Sequence, residues 1–445
     1  MAEPNSADGR EIPAEIIRQI LLRLPTRDVT RCSAVSWQWF FVVKNPTFRK
    51  LHAASQAVAA APSELLLVSE RQDKHRCFVE ASIANVSLRK PMCHVSLPPE
   101  YRLTNVSGGF VCFAPATMHM EVSPVLVCNP ITGEMLALHR PPMCGLDDLV
   151  ALGFSPSTQE LKLFRYTGTG LTTPDNNKYL DVYTLGESSG WRRRPYLCQR
   201  SPTHGGHLPV LVDGKLYVLI DRKGGDKRRT DRILVIDVAS EMHCTYRLPR
   251  IEANVPVNAF ELRGRLCLAV NTGEWEHDPK VQFWVMPPLD WLDDATTNDD
   301  NTKLDWDLLY SFDLDSKIVS RGLWSNAPRG AWLEDDEILC YRLGDTLYKY
   351  DTCGHSLFAN NEPMQWNHKL LLPPTPKKTY RRWGIYSGYR SNLLSPLIFR
   401  PPPSEEEEKI IQFENVLLET LRLNKSKGLS ATNITDEPAA KRICS

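Results

Sequence analysis

The chain has 445 residues, with 53 basic and 53 acidic side chains, so its formal net charge is zero. Apolar residues make up 42% and charged residues 24%, ordinary globular usage that excludes a mostly disordered or fibrous chain. No run reaches the roughly 18 apolar residues of a membrane span, and the neutral balance argues against a dedicated nucleic-acid binder. The opening Met1-Ala2-Glu3-Pro4-Asn5 lacks the basic and apolar regions of a secretory signal.

The first fifty residues read as helical. Ile12, Ile16, Ile20 and Leu24 recur at a spacing of four, with Ile17 and Leu21 beside them. At about 100° per residue these six cover roughly half the helix circumference, and Leu22 lies outside even that arc. Pro25 ends the helix, because its ring excludes the helical conformation at Leu24. Thr26 is expected to cap the next helix, with Asp28 in its first turn. Val29, Cys32, Val35, Trp39 and Val42 or Val43 mark its apolar side, or that of two short helices in succession. Asn45-Pro46 is a further start signal, followed by Phe48 and Leu51. Three short helices are too small a unit to bury this much aliphatic surface among themselves. Either they pack onto the rest of the chain, or part of the stripe belongs to a partner.

Ile12-Pro13-Ala14-Glu15-Ile16-Ile17-Arg18-Gln19-Ile20-Leu21-Leu22-Arg23-Leu24-Pro25 resembles the opening of an F-box. Val35-Ser36-Trp37-Gln38-Trp39, then Asn45-Pro46-Thr47-Phe48, resembles its second half at the expected separation. The departures are Ile12 for the usual Leu, Ala34 for the usual Cys and Trp37 for the usual Lys or Arg, the last of which bears on the docking surface. A three-helix F-box is assigned to 8–52. The resemblance implies that Ile12, Pro13, Ile16, Ile20, Leu21, Leu24, Pro25, Val35 and Trp39 dock a Skp-type adaptor.

Residues 53–62 are Ala-rich and read as a helical linker. From 63 to 400 short apolar runs alternate with turn signals, the signature of an all-β domain. Val212-Asp213-Gly214-Lys215-Leu216 recurs fifty positions later as Leu262-Arg263-Gly264-Arg265-Leu266, each a Gly turn entering a strand. Strands ending in Asp before a polar turn recur at Asp237, Asp313 and Asp351. Periods of roughly 40–50 residues suit four-stranded propeller blades, and about six fit the interval, with a pair of β-sandwiches as the competing architecture. Val127-Cys128-Asn129-Pro130-Ile131-Thr132-Gly133, Leu152-Gly153-Phe154-Ser155-Pro156-Ser157-Thr158 and Val182-Tyr183-Thr184-Leu185 with Trp191 resemble the kelch-related F-box-associated domain of plant F-box proteins. The expected fold is therefore α+β and multidomain: a small helical F-box, a mainly-β propeller-like domain and a C-terminal helix. Ser404 and Glu407 form a capping box. Ile410, Phe413, Leu417 and Leu421 then follow at helical spacing, placing a helix at about 404–424 within a tail of 401–445.

Gly186-Glu187-Ser188-Ser189-Gly190 matches the nucleophile-elbow pattern. That motif needs a helix after it, and Trp191-Arg192-Arg193-Arg194-Pro195 reads as none. His204 and His207 lack a third metal ligand nearby, and Cys93-His94, His243-Cys244 and Cys353-Gly354-His355 are isolated pairs. No P-loop or G-x-G-x-x-G is present. Twelve scattered cysteines without a C-x-x-C pair read as reduced, mostly buried thiols, so the expected location is cytoplasm or nucleus. Arg192 to Arg194, the run from Arg222 to Arg232, and Lys377-Lys378 with Arg381-Arg382 are basic clusters. They read either as solvated loop charge or as a groove for an acidic partner segment.

By resemblance, the chain is expected to be a substrate receptor of a Skp–cullin–F-box ubiquitin ligase. The F-box would hold the adaptor and through it a cullin, and the propeller would hold an unidentified protein target. No cofactor, metal or catalytic residue is expected, and the target-binding residues are not legible. The competing readings are a propeller enzyme whose F-box regulates turnover and a scaffold outside any ligase.

Overall fold

The short apolar runs become paired strands because the turns between them hold residues in left-handed backbone. Asp213 and Gly214 have φ of +46° and +72°, and Arg263 and Gly264 +53° and +71°. Two consecutive positive values make the tight hairpin whose twist matches that of the flanking strands. Gly108 and Gly109, at +55° and +82°, make the same turn. A longer turn recurs three times. The N–H of Asn129 donates to the carbonyl of Glu134, and that of Gly133 to the carbonyl of Asn129; Ser155 to Glu160 and Asp237 to Met242 repeat both bonds. Asn129 Oδ1, Ser155 Oγ and Asp237 Oδ1 each accept a backbone N–H inside the turn. The fifth residue is left-handed each time: Gly133 at +69°, Gln159 at +58° and Glu241 at +62°.

The computed structural model describes residues 12–58, 64–72, 77–83, 93–97, 101–115, 124–138, 148–166, 179–195, 201–202, 208–222, 229–249, 255–274, 277–289, 304–313, 327–334, 337–343, 346–352, 364–366 and 381–400. The expected tail helix at 404–424 lies outside them, as do 59–63, His204, His207, Cys353, His355, Lys377 and Lys378.

Four helices come first: α1 (Ala14–Leu22), α2 (Thr26–Cys32), α3 (Trp37–Lys44) and α4 (Pro46–Val58). The sequence suggested three helices and a separate Ala-rich linker. Instead α4 continues from Pro46 through the Ala-rich stretch to Val58, since nothing between Phe48 and Val58 breaks a helix. Asn45 Oδ1 starts it by accepting the N–H groups of Thr47 and Phe48 at 2.9 and 3.2 Å.

Among the described residues the strands fall into six antiparallel sheets. The first contains β1 (Glu64–Gln72), β2 (Cys77–Ile83) and β3 (Cys93–Leu97), and the second β4 (Tyr101–Ser107), β5 (Phe110–Pro115), β6 (Val125–Cys128) and β7 (Met135–Leu138). The third is β8 (Leu149–Phe154), β9 (Leu161–Tyr166), β10 (Tyr179–Thr184) and β11 (Arg192–Pro195). The fourth is β12 (Ser201–Pro202), β13 (Val210–Val212), β14 (Lys215–Arg222), β15 (Arg229–Asp237) and β16 (His243–Arg247). The fifth is β17 (Val257–Leu262), β18 (Arg265–Glu274), β19 (His277–Val285) and β20 (Asp307–Asp313). The sixth is β21 (Ala331–Glu334), β22 (Ile338–Leu343), β23 (Thr346–Asp351) and β24 (Met364–Trp366). The last strand, β25 (Arg381–Tyr389), returns to the first sheet and pairs with β1 in the order β25-β1-β2-β3. Of the strands nearest the axis, β4 touches β8, β13 and β25, and β17 touches β13, β21 and β25, the arrangement of a six-bladed propeller. Apolar layers fill the gaps between consecutive sheets. Phe283, Phe312 and Tyr341 pack between the fifth and sixth.

Closure crowds the axis. A Cβ on Gly388 (φ +74°) would meet Glu261 Oε2 at 2.7 Å, and one on Gly330 (φ +111°) the Ile385 carbonyl at 2.7 Å. Gly133 has a similar φ of +69° but open space around it. Gly133→Ala is therefore expected to cost about 1–2 kcal/mol, from left-handed strain alone. Gly388→Ala adds overpacking, another ~1–3 kcal/mol. Urea denaturation of the two variants checks the difference, and equal losses would mean that the closing strand is not tightly packed.

Candidate functional site

The N-terminal helices do not complete their own core. Ile17, Leu21, Val29, Val43 and Phe48 are buried together with Leu393, a residue beyond the closing strand, and Ile131, from the turn between β6 and β7, packs against them. Polar bonds fix the same junction. Thr26, expected as a cap, is the first residue of α2, and its hydroxyl donates instead to the carbonyl of Ser391 at 3.0 Å. Arg49, on α4 and 6% exposed, reaches both oxygens of Glu134 at 3.1 and 2.8 Å, and Lys44 adds a cation at 3.7 Å. Asn129 Nδ2 donates to the carbonyl of Leu394 at 2.7 Å, and Asn392 Nδ2 to that of Gly108 at 2.6 Å. His52 is fully buried, with Nε2 2.9 Å from the Leu24 carbonyl.

This mounting divides α1 into two faces. Ile17 and Leu21, four apart, point inward and are 0% exposed, while Ile12, Ile16 and Ile20 are 45%, 45% and 40% exposed. On α3, Trp37 and Phe41 are 76% and 65% exposed, and Val35 just before it is 67% exposed. Trp37, Phe40 and Phe41 form a ring cluster with centroids 5.8–6.2 Å apart. Gln38 Nε2 donates to the Ile12 carbonyl at 2.9 Å, holding the starts of α1 and α3 together. The two helices thus present large apolar side chains to solvent, of the kind that mark an interaction site.

Of the nine expected docking residues, Ile12, Pro13, Ile16, Ile20, Pro25 and Val35 are exposed. Leu24 and Trp39 are half-buried against the helical core. Leu21 is a correction: its side chain is wholly inside that core and has no surface to offer a partner. The sequence reading passed over Phe41 and treated Trp37 as a departure. The signal was available, since 37 and 41 are one helical turn apart and Ser36 caps their helix by accepting the Trp39 N–H.

The other candidates resolve otherwise. Ser188 is exposed in the turn between β10 and β11, and a strand follows it where a nucleophile elbow requires a helix. Arg192, Arg193 and Arg194 lie on β11, not in a loop, and the strand's alternation sends them to opposite faces. Arg192 and Arg194 reach Glu241 at 2.7 and 3.0 Å, where Lys162 also arrives at 3.0 Å. Burial by itself would raise the Glu241 carboxyl, but hydrogen bonds from Lys162 and Arg194 and the Arg192 charge hold it below the usual range. Arg193 pairs with Asp181 at 2.9 Å, as does Arg165, which also meets Asp148 at 2.6 Å. Among the described residues no three His, Cys, Asp or Glu side chains are placed to hold a metal. Cys112, Cys128, Cys267 and Cys340 are buried, and burial pushes the Cys112 thiol up to about 12, an inert thiol rather than a nucleophile.

Comparison with known proteins agrees with this division. Residues 61–298, more than half of the chain, match the F-box associated beta propeller domain, and residues 10–51 match the F-box domain. The chain belongs to the F-box proteins that carry an F-box-associated β-propeller. An F-box protein of Arabidopsis thaliana is 26% identical over 250 residues, 54% of this chain and 57% of its own. The chain thus spans little more than half of that relative's length. An Arabidopsis F-box/LRR-repeat protein is 23% identical over 421 residues, 84% of this chain and 87% of its own. Among solved structures, the β-propeller domain of the trilobed protease from Pyrococcus furiosus covers 70% of this chain and 95% of its own length, at 10% identity and a TM-score of 0.30.

The Arg49–Glu134 pair makes the F-box mounting pH-dependent. Burial alone would raise the Glu134 carboxyl, but hydrogen bonds from Arg49 and Ser395 and the charges of Arg49 and Lys44 bring it below its ordinary value. A depressed folded-state value stabilises above the unfolded carboxyl range of about 4.3 and is lost as pH falls through it. Glu134→Gln should cost about 1–3 kcal/mol at neutral pH by leaving the buried Arg49 without its charged acceptor. Amide exchange in α1–α4 is expected to rise in the variant at pH 7. The gap to wild type should close as pH falls below the depressed value, and a pH-independent gap would remove Glu134 from this role.

Proposed function

We propose that this protein is the target-recognition subunit of a Skp–cullin–F-box ubiquitin ligase. The observation that carries the reading is the solvent-facing apolar surface of α1 and α3, presented by helices whose other face is anchored to the propeller. The F-box engages a Skp-type adaptor, and through it a cullin, while the propeller holds a protein target. Such a subunit performs no bond chemistry. It raises the effective concentration of the target near the conjugating enzyme.

A standard interface takes about 800 Å² from each partner, and short helices supply that area only through a continuous apolar face. The charge around the face favours an acidic adaptor. Residues 11–52 carry seven basic and three acidic side chains, a net of +4, in a chain that is neutral as a whole. Such a field steers an acidic partner and repels a second copy of the same surface.

The structure selects the residues for the test. Leu24 is a poor choice, because its side chain packs in the helical core and its carbonyl serves His52 and Gln56. Ile16 and Ile20 touch solvent. Truncating anchors at a packed interface centre costs about 2 kcal/mol or more each, so Ile16→Ala with Ile20→Ala should reduce capture of a Skp-type adaptor by at least about a hundredfold. The melting temperature should stay near wild type. Wild-type capture by this double variant, or no capture by the wild-type chain, defeats the ligase reading.

A further inference from the structure

A cavity of about 300 Å³ lies along the propeller axis, walled by strands that include β4, β17 and β25. Its two ends differ. At the F-box end backbone closes in: Gly388 abuts Glu261, and Gly109 abuts Arg390 and Asn392. At the opposite end the Arg329 N–H donates to the Arg342 carbonyl at 2.9 Å, and Asn258 Nδ2 to the Ala327 carbonyl at 2.9 Å. Arg102 stands at that end too, because β4 runs from Tyr101 toward Gly108 and the F-box junction. Arg102 and Arg329 are exposed and, among the described residues, have no acidic partner, while Arg342 is 7% exposed. Arg102, Arg329 and Arg342 thus line this end of the cavity together with Glu70, whose Oε1 accepts the Leu103 N–H at 3.4 Å, in a chain of zero net charge. Leu103, Phe260 and Ile385 give the cavity apolar walls.

We propose that this mouth binds an anionic segment of the target protein, its carboxylates or phosphates meeting the arginines while an adjacent aliphatic side chain enters the cavity. The proposal rests on the receptor reading above and names the chemical class of its target. Guanidinium forks match carboxylate and phosphate oxygens in pairs. A volume near the lower limit of ligand pockets admits one or two side chains rather than a folded element. The cluster of like charge raises the local potential and draws in an anionic chain.

The probes are short fluorescein-labelled peptides in which Leu alternates with Glu, with phosphoserine or with Lys, titrated into the full chain and followed by anisotropy. The Glu peptide, the phosphoserine peptide or both should bind, and the Lys peptide should not; which anion binds identifies the source of the charge. Arg102→Glu with Arg329→Glu should weaken binding about tenfold or more through like-charge repulsion. Arg400→Glu, at the F-box end, should change nothing. Arg102→Gln with Arg329→Gln guards against misfolding: with an unchanged melting temperature it should still show a clear loss. Binding that does not prefer anionic peptides, or that survives both double variants, overturns the proposal. Adaptor capture by the same protein separates the two readings. Capture without anionic-peptide binding defeats the mouth alone, and peptide binding without capture defeats the receptor reading alone.

Discussion

The pairing of β25 with β1 is the contact on which both halves of the molecule depend. It joins the end of the chain's β region to its beginning and covers the inner edge of β1, completing the first sheet. It also delivers the segment 390–400 to the N-terminal helices. Ser391 accepts from Thr26, Leu393 enters the helical core, and Leu394 accepts from Asn129. Ring closure and F-box mounting are therefore one structural event. The glycines at 109, 330 and 388 serve it by letting inner strands approach more closely than any side chain would allow.

The same economy appears in the charges. Glu241 sits in a turn of the fourth blade and gathers Lys162, Arg192 and Arg194 from the third, so a buried carboxylate acts as a link between blades. A buried ion left alone is costly, but one that is fully paired and hydrogen-bonded fixes a unique neighbour. Charge used in this way is unavailable for partners. The arginines at the far mouth are the contrast, because Arg102 and Arg329 are exposed and form no ion pair with a described residue.

Much of the fold was legible because its turns are chemical. Asp213-Gly214 and Arg263-Gly264 show the left-handed hairpin in their letters, and Asn129, Ser155 and Asp237 mark one turn three times through a side-chain acceptor. The β4–β5 hairpin, Gly108-Gly109, carries a signal of the same kind, since Gly-Gly also suits two consecutive left-handed positions. Periodicity placed Ile12, Ile16 and Ile20 with Ile17 and Leu21 on a single arc, but it could not divide that arc. The division depends on Leu393 and Ile131, which are hundreds and scores of positions away and arrive only through ring closure. Likewise the Arg192 to Arg194 run reads as loose charge until strand alternation and the Glu241 turn are known. Sequence carries the local rule, and non-local contact decides which face it serves.

The mounting has a consequence for function that neither half shows alone. First strands run from the arginine mouth toward the F-box junction, so the apolar face of α1 and α3 and the axial mouth lie toward opposite ends of one compact unit. A flexible tether between two binding sites spreads the held partner over a large volume, and effective concentration falls as that volume grows. Here Arg49, Thr26, Asn129 and Asn392 remove that freedom with bonds of 2.6–3.0 Å. A partner on the helices and a segment at the mouth would then be held at a fixed separation set by the length of the propeller axis. For a receptor that works by presentation, that rigidity determines which part of a target can be reached.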